Sequence, residues 1–119
     1  MQVEVFQDGG RLRAPVQLDI GPVLHPDDLA ADKVLALWGR GEPRDVVDVA
    51  ALLIVYPGRQ LLELAERKDG GFTDSSFVEA LSGVRRIVPA RWAAAGVDTG
   101  HATRLTEAME RWRDELAAG

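Results

Sequence analysis

Apolar positions along this chain change period near residue 25. Val3 to Phe6 alternates apolar and polar residues, and so does Val16 to Ile20, with Asp8-Gly9-Gly10 in the stretch between them. That pattern predicts two short strands joined by a turn and a loop. An isolated hairpin is marginal in water. The pair therefore reads either as the remnant of a larger sheet or as edge strands that pair with a second copy of the chain or with a partner.

From Pro26 the spacing is helical. The first helix ends near Arg40, with Gly41 placed for a C-terminal cap. Pro43 opens a second helix through Tyr56, and Pro57-Gly58 ends it. A third covers Arg59 to Lys68 and stops at Asp69-Gly70-Gly71, a turn without the strand-then-helix setting of a phosphate loop. Thr73 or Asp74 caps a fourth helix that runs through Leu81 and ends at Gly83. A short helix covers Pro89 to Ala95. Thr99 caps the last, Gly100 to Ala118, in which Leu105, Met109, Trp112 and Leu116 form an apolar stripe. The expected fold is thus α+β and mostly α. An amino-terminal β-hairpin (residues 1–24) precedes a bundle of five or six helices (residues 25–119). Trp38, Trp92 and Trp112 are the expected core anchors.

Composition narrows the function classes. The 119 residues make one domain or part of one, and at 46% hydrophobic and 28% charged the chain can bury a core. The absence of cysteine excludes disulfides and thiolate metal sites and fits a reducing cytoplasm. The amino terminus has no apolar stretch of the kind a secretory signal needs, and the longest apolar run, Val49 to Tyr56, is too short to span a bilayer. A net charge of −5 argues against broad non-specific nucleic-acid binding, while leaving room for a local basic pocket. His25 and His101 stand alone, so no zinc site is expected. Arg85-Arg86, with Arg91 nearby, reads as a nucleic-acid contact or as a solvated patch.

The segment that carries chemistry is DKVLALWGRGEPRDVVD, Asp32 to Asp48. Lys33 and Arg40 are one heptad apart, and a helix drifts only about 20° per heptad, so they share a face. Asp45 and Asp48, and Arg44 and Asp48, are each one turn apart on the next helix. Charges here interrupt an otherwise apolar run. Read structurally, Arg44 and Asp48 are an exposed pair contributing about 0.3–0.5 kcal/mol, and Lys33 snorkels. Read chemically, two helices aim a cluster of cations and carboxylates at one spot.

The segment LHPDDLAADKVLALWGRGEPRDVVDVAALL resembles the third conserved block of the AbiEii-type nucleotidyltransferases, toxins of type IV toxin–antitoxin systems related to the MenT toxins. LLELAERKDGGFTDSSFVEAL and AAAGVD resemble the helices that follow. The resemblance covers the chain from about Gly21 onward. It implies a nucleotidyltransferase sheet followed by a helical bundle. It also implies transfer of a nucleotide from an NTP, with Mg²⁺, to an acceptor such as the 3′ end of tRNA, and a cognate antitoxin protein. Matched residue by residue, it makes Lys33 and Asp45 catalytic, with Asp45 orienting Lys33 or assisting the acceptor. Arg40, Arg44 and Asp48 become substrate-binding, and Arg44 and Asp48 can equally support the others from behind. Glu4, or less favourably Asp19, becomes the candidate for a third, metal-holding carboxylate.

One departure matters. The family pattern begins with a Gly-Ser turn and a D-x-D metal-binding pair, and this sequence contains neither. The chain therefore reads as an incomplete, carboxy-terminal version of such a toxin, truncated or complemented by another chain and inactive alone. Two rivals are a non-enzymatic helical module that binds RNA or a protein through Lys33, Arg40 and Arg44, and a structural domain that dimerises by strand pairing.

Overall fold

Three prolines punctuate the helices of this chain. A computed structural model describes residues 25–119. In it Pro26, Pro43 and Pro89 open α1 (Pro26–Gly39), α2 (Pro43–Val55) and α5 (Pro89–Ala94). At a first helical position proline loses nothing, since its missing N–H would be unpaired there anyway. The other helices among the described residues are α3 (Gly58–Lys68), α4 (Asp74–Ser82) and α6 (Thr99–Ala118), with a 3-10 turn, Gly83–Arg86, after α4.

The caps explain the boundaries. His25 Nδ1 accepts the Asp27 N–H at the start of α1. Thr73 and Ser76 close a reciprocal capping box on α4: Thr73 Oγ1 accepts the Ser76 N–H at 3.1 Å and Ser76 Oγ accepts the Thr73 N–H at 3.2 Å. The last helix is capped by Asp98, one residue earlier than expected, through its Oδ1 and the His101 N–H. Gly41 takes φ 64° after α1, the left-handed turn that only glycine adopts without strain. Gly83 caps the end of α4, as expected, but without a left-handed turn. Its φ of −76° is ordinary helical backbone, and the 3-10 turn continues from it.

The α+β expectation is corrected here. Among the described residues all regular structure is helical, and no strand or sheet occurs. The hairpin expectation rests on alternations of four and five residues, too short a stretch to fix a period. Those stretches, and the strand-paired dimer built on them, lie outside the described residues.

α1 is the hub. It packs against α2 and α3, and α4 packs against α6. Ala30, Ala31, Val34 and Leu37 form its buried stripe and meet Val46 and Val49 of α2 and Leu61, Leu62, Leu64 and Ala65 of α3 in one core. Trp38, Phe72, Phe77 and Trp112 form a continuous aromatic run, with successive ring centroids 5.3, 5.3 and 5.1 Å apart. Trp92 and Trp112 are buried; Trp38 is half-buried, and its Nε1 donates to Ser76 Oγ.

Candidate phosphate-binding site

α1 and α2 form an antiparallel pair joined by the tight turn at Gly41. Three side-chain rungs tie them together along its length. Tyr56 Oη donates to Asp27 Oδ1 at 2.8 Å at the open end. Lys33 Nζ donates to Asp48 Oδ2 at 3.0 Å in the middle. Next to the turn, Arg40 clamps Asp45 with both arms of its fork, Nε to Oδ2 at 3.0 Å and Nη2 to Oδ1 at 2.6 Å. As the position on α1 rises, its partner on α2 falls, as antiparallel packing requires.

Asp45 is the fixed point of the cluster. It is 2% exposed and is the one buried charged residue among those described. Besides Arg40 it accepts the Glu42 N–H at 2.9 Å, so it caps the turn while holding the guanidinium. The Arg40 hydrogen bond first, and the Glu42 N–H with it, hold its carboxyl below the usual aspartate range against the opposing effect of burial. The same contact pushes the Arg40 guanidinium further up. Arg40 itself is about half exposed, as are Lys33 and Asp48. Arg40 is therefore anchored by a buried carboxylate and open to solvent, whereas Lys33 and Asp48 are equally exposed.

Lys33, Arg40, Asp45 and Asp48 come together, with Lys33 in ionic contact with one aspartate. Lys33 is held by Asp48, not by Asp45, and Asp45 serves Arg40. The expected Arg44–Asp48 pair is absent: Arg44 is exposed and makes no ion pair with another described residue, because Asp48 leans across to Lys33. Glu4 and Asp19 lie outside the described residues.

Two residues joined the site that the sequence reading did not place there. Glu42, the cap position of α2, accepts from Arg91 Nη2 of α5 at 2.5 Å. Together with Arg40, Pro43, Arg44, Ala94 and Ala95 they line a cavity of about 380 Å³. Glu42 was findable, since Pro43 at a helix start makes its neighbour the cap. Arg91 was not, because a contact 49 residues away in sequence leaves no local signal. A larger cavity, about 510 Å³, lies between α5 and α6 beside Trp92 and Val97 and contains none of the seam residues.

The described carboxylates do not fit a divalent cation. Asp45 has both oxygens engaged by Arg40 and the turn N–H, and Asp48 faces an ammonium. Among the described residues no group of three or more histidine or acidic side chains gathers at metal-binding distance.

Compared with models of known families, the chain matches the one described as "Nucleotidyl transferase AbiEii toxin, Type IV TA system", over residues 3–116. The chain belongs to the AbiEii family. No curated protein and no solved structure matches it. Membership makes this a protein of the nucleotidyl transferase type from a toxin–antitoxin family, and the α1–α2 seam lies inside the matched span. No helix among the described residues is long and apolar enough to cross a membrane.

Proposed function

We propose that the α1–α2 seam of this AbiEii-family chain binds the phosphate groups of a nucleotide or of an RNA end, with Lys33 and Arg40 as the cations that meet them. The observation that supports this most is the crossed pairing of Lys33 with Asp48 and Arg40 with Asp45. Buried Asp45 fixes Arg40 while the guanidinium stays open to solvent, and half-exposed Asp48 holds Lys33 beside it. A cation held in place before the ligand arrives loses less freedom on binding. Arg40 then presents a planar fork to phosphate oxygens and Lys33 a compact charge. Arg44, exposed and uncommitted among the described residues, adds a third positive charge beside them.

In nucleotidyl transfer such cations stabilise charge that builds on the phosphoryl oxygens. Mg²⁺ and an NTP belong to this reading through the family, and the described carboxylates of the seam are already paired with cations. The chain is accordingly expected to bind and not to transfer. The experiment is incubation of the 119-residue chain with tRNA and each labelled NTP, with and without Mg²⁺. Label held without covalent transfer, and insensitive to EDTA, agrees with the proposal. Robust transfer that disappears in Lys33→Ala or Asp45→Ala would mean a metal site assembled from other residues and a complete enzyme.

A further inference from the structure

Arg91 is distant from the seam in sequence and beside it in space. It sits on α5, and its contact with Glu42 brings it to the start of α2, onto the same cavity wall as Arg40 and Arg44. Three guanidiniums therefore line one cavity of about 380 Å³. The carboxylates that pair with them are Asp45, on Arg40, and Glu42, on Arg91. Three positive charges against two negative leave the cluster with one positive charge in excess, carried by Arg44.

Donors remain as well as charge. A guanidinium offers five N–H groups. Arg40 commits Nε and Nη2 to Asp45, and Arg91 commits Nη2 to Glu42, so Nη1 of Arg40 and both Nε and Nη1 of Arg91 stay uncommitted among the described residues. The rest of the wall is Pro43, Ala94 and Ala95, short side chains that leave room and offer no competing polar group. Both arginines are about half exposed, so filling the cavity does not require opening the fold.

The geometry points to a second phosphate-binding position, built by Arg44 and Arg91 with Arg40 shared, next to the one formed by Lys33 and Arg40. It rests on the phosphate-binding reading of the seam and extends it to a ligand with at least two phosphate groups. Two sources share that chemistry: the triphosphate of a free nucleotide, and successive phosphodiesters of an RNA strand. Glu42 is the built-in competitor. It holds Arg91 in place when the cavity is empty and opposes an anion when it is filled.

The test is titration of the full chain with ATP and with a fluorescein-labelled hexaribonucleotide, in EDTA, for the unaltered protein, Arg91→Ala, Glu42→Gln and Lys33→Ala. Losing one charge-assisted phosphate contact in Arg91→Ala should weaken binding about tenfold. If the RNA strand is the source, the loss is confined to the oligonucleotide; if the triphosphate is, it is confined to ATP. Either result supports the second position. Glu42→Gln should tighten binding of the same probe several-fold, which a purely structural Arg91–Glu42 pair would not produce. Unchanged affinity for both probes in Arg91→Ala, or Glu42→Gln that lowers stability without tightening either probe, overturns the inference. The two readings separate cleanly. An effect of Lys33→Ala without one of Arg91→Ala removes the second position and leaves the seam, and the reverse removes the seam and leaves the cavity.

Discussion

Arg40 and Asp45 form a two-armed ion pair across the α1–α2 turn, with the carboxylate 2% exposed and the guanidinium open to solvent. This asymmetry decides what each substitution does. Asp45→Ala leaves a guanidinium that water can reach, so its cost is the lost hydrogen bonds to Arg40 and to the Glu42 N–H, about 2 kcal/mol. Arg40→Ala instead leaves a buried carboxylate without its cation and should destabilise the chain more than Arg40→Lys, which keeps the charge and loses the fork. Urea unfolding of the three variants checks the order.

Acid stability should carry the mark of Asp45. Its folded carboxyl sits below the usual range because of Arg40 and the turn N–H, whereas in the unfolded chain it titrates in the ordinary aspartate range. The folded form therefore binds fewer protons than the unfolded one. The stabilisation is complete above the unfolded value and is lost as pH falls through the depressed folded value. Urea midpoints followed from about pH 6 down to about pH 2 should fall more steeply for the unaltered chain than for Asp45→Asn, which cannot titrate there.

Gly58, at the start of α3, is a packing requirement. A β-carbon placed on it would run into the indole of Trp112, which is buried and ends the aromatic run. Gly58→Ala should cost about 1–3 kcal/mol by overpacking, in contrast to the usual gain from replacing an unstrained glycine. Gly70→Ala, with nothing within reach of its new methyl group, serves as the control. Thermal unfolding of both variants measures the difference.

The helical part was legible because its signals are local. Pro26, Pro43 and Pro89 mark helix starts through their own geometry, and the stripe Leu105, Met109, Trp112 is a period that needs no tertiary knowledge. The fold class was not legible, because alternations of four or five residues are too short to fix a period. Within the seam, heptad spacing placed Lys33 and Arg40 on one face, but it could not say which aspartate each would take. That depends on the antiparallel offset of α2 against α1, which the turn at Gly41 sets. Glu42 and Arg91 meet through the packing of α5 beside the start of α2, a long-range contact with no local trace.

The central claim is that Lys33, positioned by Asp48, binds phosphate, and calorimetric titration of the chain with ATP in EDTA tests it most directly. Lys33→Ala should weaken binding about five- to tenfold, the loss of one partly exposed charged contact. Asp48→Asn, which frees the ammonium without removing it, should weaken binding less than Lys33→Ala does. Equal affinity for the unaltered chain and Lys33→Ala, with both folded by circular dichroism, would contradict the claim.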